Sequence, residues 1–180
     1  REGDGVEWEM SCEAGAKLGG VAYTDGSCDT HAVVALRRAG WAVIFKDKDG
    51  VEQGRVRGPV WRPFPQTPQA AEFIALAVCA QAVQQRTLVY ADCWNVIAAA
   101  NDLMKSSGPT PNRKALAYDG ALRFGFEESW EREETFVEEV RWQKAHCDID
   151  EAGISEEERR HRKGNDEADA EAKMAAQQER

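Results

Sequence analysis

The chain has 180 residues, 42% of them hydrophobic, and a formal net charge of −9. That length suits one domain with tails and can bury a sizeable core, while no run of 18 apolar residues exists to span a membrane. The acidic balance weakens long-range attraction to phosphate, but it is uneven: residues 1–20 hold five acids against two bases and residues 127–139 seven against one, whereas residues 21–126 hold nine acids and twelve bases, which leaves room for a local nucleic-acid groove.

Residues 1–18 read as an acidic linker or tail with no signal-peptide pattern. The absence of Met at position 1 suggests a piece of a longer polypeptide. Gly20–Ser27, an apolar run ending in a turn signal, reads as a first strand, and Gly40–Phe45 as a second. A polar turn ending in Asp49-Gly50 leads to Val51–Val60, its hairpin partner. Pro63, Pro65 and Pro68 mark a rigid loop. From Gln69 to Gln85 the pattern becomes helical, with Phe73, Leu76, Ala77 and Ala80 on one face. Thr87–Ala91 reads as a fourth strand, Trp94–Met104 and Asn112–Phe124 as helices, and Thr135–Ala145 as a fifth strand. Residues 127–134 and 148–163 are charged insertions, the second a mobile loop or short solvated helix, and Asn165–Gln178 is an Ala/Glu helix. Early hairpins and later helix-separated strands predict a mixed α/β sheet: three antiparallel strands, then two parallel ones, flanked by helices. Five cysteines (Cys12, Cys28, Cys79, Cys93, Cys147) without a CxxC pair argue against a disulfide framework or a zinc site. They place the chain in a reducing compartment, cytoplasm or nucleus, rather than outside the cell.

Four carboxylates sit where chemistry could use them. Asp25 and Asp92 each end an apolar strand, Glu72 lies near the core-facing side of an amphipathic helix, and Asp169 opens the last helix. Singly, each has an ordinary explanation: a turn residue, a helix cap, or an acid favoured by the helix dipole. Converging on one spot, they would repel one another and need cations, and all-oxygen ligands select Mg²⁺ or Mn²⁺. Two such ions about 3.5–4 Å apart clamp an in-line phosphoryl displacement.

The sequence resembles the ribonuclease H family of cellular type-1 enzymes and retroelement reverse transcriptases. The residues that carry the likeness are Tyr23-Thr24-Asp25-Gly26-Ser27-Cys28, Thr67-Pro68-Gln69-Ala70-Ala71-Glu72, Tyr90-Ala91-Asp92 and Asn165-Asp166-Glu167-Ala168-Asp169, in the family's order over roughly residues 19–178. The resemblance implies an RNase H-like catalytic domain over residues 19–180 that cuts the RNA strand of RNA/DNA hybrids. It implies Asp25, Glu72, Asp92 and Asp169 as ligands of Mg²⁺ or Mn²⁺, two ions with substrate bound. Gly26, Ser27, Cys28 and Gln69 would face the RNA strand's minor groove, where 2′-hydroxyls mark RNA. Thr67 and Asn112 would hold a phosphate of the DNA strand; Asn112 also suits a helix N-cap after Pro111. The family's mobile histidine is matched by His146, which directly follows the fifth strand. His161 is a rival, because the stretch from His146 to Asn165 is longer than usual. Where many cellular members carry a basic, Trp-containing protrusion, this chain has the short loop Lys105–Pro111. Hybrid binding by the isolated domain is therefore expected to be weak and salt-sensitive. An adjacent polymerase domain of a retroelement polyprotein would add grip through effective concentration. The rivals are a transposase, integrase or junction resolvase on the same fold, a silent RNase H-like module, and a partner-binding role for the acidic segments.

Overall fold

The computed structural model describes residues 9–12, 15, 17–62, 64–105, 121–122, 125–126 and 135–178. Six strands form one sheet: β1 (Glu9–Cys12), β2 (Gly20–Cys28), β3 (Ala39–Lys46), β4 (Glu52–Pro59), β5 (Thr87–Ala91) and β6 (Val137–Trp142). Their spatial order is β1-β4-β3-β2-β5-β6. The hairpins pair β2 with β3 and β3 with β4 antiparallel, while β2 with β5 and β5 with β6 run parallel. This is the predicted mixed sheet with one strand more than the five expected. The sixth, β1, lies inside the segment read as a tail and pairs antiparallel with β4. Glu9-Met10-Ser11-Cys12 is short and lacks a clean period-2 alternation, so a backbone ladder forms there without a side-chain signal.

β3 is buried along its whole length because both of its faces are covered. Trp41, Val43 and Phe45 join the main core with Phe73 and Leu76 of α1 (Pro68–Ala82). Ile44 points the other way, into a smaller cluster with Tyr23, Tyr90 and Ala168 of α3 (Glu156–Gln177). The helix α2 (Trp94–Lys105) adds Val96, Ile97 and Leu103 to the main core. Helix α1 starts where the proline-rich segment ends: the Thr67 hydroxyl accepts from the Ala70 N–H at 3.1 Å, and Pro68 occupies the first turn.

Helix α3 begins at Glu156 rather than near Asn165, so the second half of the charged 148–163 stretch is its first turns. Ser155 caps it by accepting from the Glu158 N–H at 3.0 Å, and Glu156, Glu157 and Glu158 suit the positive end of the helix. Ala121, Leu122, Gly125 and Phe126 are helical, and Leu122 and Phe126 are buried. The rest of the predicted 112–124 helix and the acidic run 127–134 lie outside the described residues. Among the described residues, no helix is long and apolar enough to cross a membrane.

Candidate active site

Parallel pairing of β2 with β5 sets Tyr23 opposite Tyr90. Asp25 and Asp92, each two residues further on, therefore emerge side by side at the same end of the sheet. Glu72 reaches them from α1 because Gly26 lets helix and strand approach closely. A Cβ on Gly26 would lie 2.5 Å from the Glu72 backbone nitrogen and 2.7 Å from the Ala71 Cβ. The Gly26 N–H donates to Asp25 Oδ1 at 2.9 Å and to Glu72 Oε1 at 3.0 Å, so one donor serves two carboxylates.

Asp25, Glu72 and Asp92 each offer an oxygen, all within 4.8 Å of one another. Asp25 and Glu72 are 4% and 5% exposed, and Glu72 Oε2 is buried with no hydrogen-bond partner among the described residues. The electrostatic cost is visible in the acidities. Burial pushes the Asp25 carboxyl up to about 7, with the charges of Asp92 and Asp169 adding to the rise. Glu72 is raised well above the ordinary carboxylate range by burial and then by Asp25. Asp92 is raised by burial, with Asp169 adding. A cation would reverse each of these penalties at once.

These residues line an open cavity of about 450 Å³, together with Gln69, His146 and Asp169. Asp169 stands on α3, with Oδ2 accepting from Lys173 Nζ at 2.5 Å one helical turn away. It borders the cavity without belonging to the tight trio. His146 is exposed on the cavity wall in a left-handed backbone conformation, φ 52°. His161 is elsewhere: its Nδ1 lies 3.0 Å from the Tyr23 hydroxyl, and its ring stacks on Tyr90 at 4.0 Å. Burial holds the His161 pKa below its ordinary value.

Gly26 lines the cavity, while Ser27 and Cys28 are half-buried further along β2. The Cys28 thiol donates to the carbonyls of Asp29 and Gln66, at 3.3 Å each, and burial raises its pKa. Thr67 is half-buried and occupied as the α1 cap; Asn112 lies outside the described residues. Cys93, expected near the site but without a role in the chemistry, lines the cavity; Asn95 and the Asp169–Lys173 ion pair also belong to the neighbourhood and were not anticipated. The pair was open to detection, since residues four apart on a helix face each other. Next to the site, Trp94 and Trp142 stack with centroids 5.4 Å apart, a contact between distant segments that spacing alone does not reveal.

The RNase H family model matches residues 19–177. A comparison with curated proteins returns no match. Among solved structures, the chain is similar to the prototype foamy virus protease–reverse transcriptase, with TM-score 0.61 and 21% identity over 91% of this chain and 21% of that one. It is likewise similar to the RNase H domain of the same virus, with TM-score 0.58 and 19% identity over 89% of this chain and 96% of the other. A third similar structure is the foamy viral protease–reverse transcriptase in complex with RNA/DNA hybrid, with TM-score 0.62 and 16% identity over 89% of this chain and 20% of that one. The chain thus spans about a fifth of the length of the viral protease–reverse transcriptase chains and nearly the whole of the isolated viral domain. The family match runs from the start of β2 to the end of α3 and takes in every carboxylate of the cavity, and the chain belongs to the RNase H family.

Proposed function

We propose that this domain hydrolyses the RNA strand of RNA/DNA hybrids, with divalent cations held by Asp25, Glu72, Asp92 and Asp169. The observation that carries the reading is the buried carboxylate trio with Glu72 Oε2 lacking a donor among the described residues, an arrangement that a positive charge would relieve. An all-oxygen donor set fits Mg²⁺ or Mn²⁺. A bound cation supplies Lewis-acid polarisation of the phosphoryl group and acidifies an attacking water. The chain's own residues do the rest. Gly26 N–H fixes two of the carboxylates, and Asp169 approaches from the opposite helix. His146, on the exposed side, is placed to exchange a proton with solvent as product leaves. The backbone of Gly26, Ser27 and Cys28 with the Gln69 side chain would meet the 2′-hydroxyls of the RNA strand. The family membership and the hybrid complex of a similar viral structure support this substrate. The same likeness supports origin in a retroelement-type polypeptide, in which a neighbouring polymerase domain would strengthen hybrid binding.

End-labelled RNA/DNA hybrid, incubated at low salt with Mg²⁺ or Mn²⁺ beside single-stranded RNA, duplex RNA and duplex DNA, tests this. We expect cutting of the hybrid alone, abolished in Asp92→Asn and slowed but retained in His146→Ala. A hybrid that is bound yet uncut in both metals would instead identify a silent module. Unimpaired cutting by Asp92→Asn would remove the metal assignment.

A further inference from the structure

A second cavity, of about 570 Å³, opens between the β2–β3 loop, the segment leading into α1 and the end of α3. Arg37, Arg38 and Arg62 line it, with His31, Gln66 and one carboxylate, Asp29. The other described arginines are all ion-paired. Arg55 and Arg57 meet Glu171, Arg86 meets Glu138, Arg141 meets Glu139, Arg159 and Arg160 meet Glu156, and Arg162 meets Glu151 and Glu158. The three described arginines without a carboxylate partner are the three that line this cavity. Carboxylates are not scarce, since the chain has 32 acidic residues against 23 Lys and Arg. With Asp29 the one carboxylate in the lining, the three arginines leave the cavity with an excess of positive charge that an anion would offset.

The cluster is partly pre-ordered. Arg37 Nε donates to the His31 carbonyl at 3.1 Å and an Arg38 terminal nitrogen to the Gln178 carbonyl at 3.4 Å, which leaves other N–H groups of both forks available. Arg62 is exposed and has no bonded partner among the described residues. The cavity also adjoins the carboxylate site. Gln66 lines one, Pro68 and Gln69 line the other, and Thr67 stands between. Gln66 and Pro68, two residues apart, are separated by at most about 7 Å, so the two linings meet along this short segment.

We propose that the Arg37–Arg38–Arg62 cavity is a phosphodiester subsite that grips one strand of the bound hybrid a few nucleotides from the cut. The proposal rests on the hybrid-nuclease reading above. It gives a local source of affinity to a domain whose net charge opposes nucleic acid. Guanidinium forks suit phosphate oxygens through paired N–H donors.

The test is fluorescence-anisotropy binding of a labelled RNA/DNA hybrid to the full chain with Ca²⁺, across a salt series, run in parallel with cleavage assays in Mg²⁺ or Mn²⁺. Wild type is compared with Arg62→Ala and with the combined Arg37→Ala/Arg38→Ala/Arg62→Ala variant. For three lost contacts we expect the slope of log affinity against log salt to shrink by about 2–3, with binding at low salt weakened about tenfold or more. The corresponding triple lysine variant should recover most of the slope. If the triple alanine variant fails to fold, Arg62→Ala alone should reduce the slope by about one, since the Arg62 side chain is exposed and bonded to nothing described. Cleavage of hybrid by wild type with slope and affinity unchanged in the variants overturns the subsite and leaves the nuclease reading standing. Binding without cleavage, with the slope reduced in the variants, supports the subsite and overturns the nuclease reading. No binding of hybrid by wild type overturns both.

Discussion

One N–H, that of Gly26, serves both Asp25 and Glu72, but burial of the carboxylates governs how the metal-free site responds to pH. Asp25, Glu72 and Asp92 all have raised pKa values, and so weakened acidity, in the fold. The folded chain therefore binds more protons than the unfolded chain, and stability falls as pH rises. The favourable contribution is fully present below the ordinary carboxylate range, near 4, and is lost as pH climbs through the folded values, about 7 for Asp25. Glu52 and Glu158 have lowered values, so their opposite contributions change at acid pH instead. His161, held low by burial, works against the trend near neutrality. The difference between wild type and Glu72→Gln isolates the cluster. In EDTA, the variant's thermal midpoint should rise relative to wild type between pH 5 and pH 7.5, by about 2–4 °C for each kcal/mol relieved. Adding Mg²⁺ should restore the wild type. A midpoint difference that stays flat across that window would mean that the carboxylates do not strain the fold. The positions of these residues could be read in advance, because strand ends and helix faces follow from periodicity. The donor they share could not, since it depends on how closely α1 approaches β2. That His161 packs on Tyr23 and Tyr90 while His146 lines the cavity likewise depends on residues far apart in sequence.

Helix α3 shows the opposite error, a local signal taken too literally. Read from the sequence, this helix opens at Asn165, just after Gly164, a residue type that weakens helices by about 1 kcal/mol relative to alanine. The helix runs straight through it, and the Ser155–Glu158 pair that caps its true start was present in the sequence. Gly164 is there for packing: a Cβ would lie 2.4 Å from the Tyr23 ring. At the other end of α3, a Cβ on Gly40 would lie 2.2 Å from the Ala176 nitrogen. Asp169 stands between these two close approaches, so its position over the cavity is set by them. Gly164→Ala should therefore destabilise despite its better helix propensity, because overpacking costs about 1–3 kcal/mol. Urea unfolding would show a lowered midpoint. A stabilised variant would mean that Tyr23 yields freely, and that α3 is not fixed where this packing places it.

Across the whole molecule, ion pairs stitch the sheet to α3, with Glu171 bridging Arg55 and Arg57 and Lys46 meeting Glu167 at 2.9 Å. The central antiparallel strands and the parallel pair beyond them were legible because each carries its own apolar run and turn signals. The outermost strand was not, since four exposed or polar residues carry no such mark. That strand has a consequence for the molecule's behaviour in solution. β1 covers Gly54–Arg57 of β4, so its hydrogen-bonding groups occupy a margin that would otherwise be open to strands of other molecules. A protein trimmed to residues 19–180, where the family match begins, would present that margin bare. It should self-associate as concentration rises, detectable by light scattering, while the chain that keeps residues 9–12 stays monodisperse under the same conditions. Equal scattering from both would show that β4 protects itself. On this account residues 9–12 act as a selvedge that keeps the sheet from fraying into aggregates.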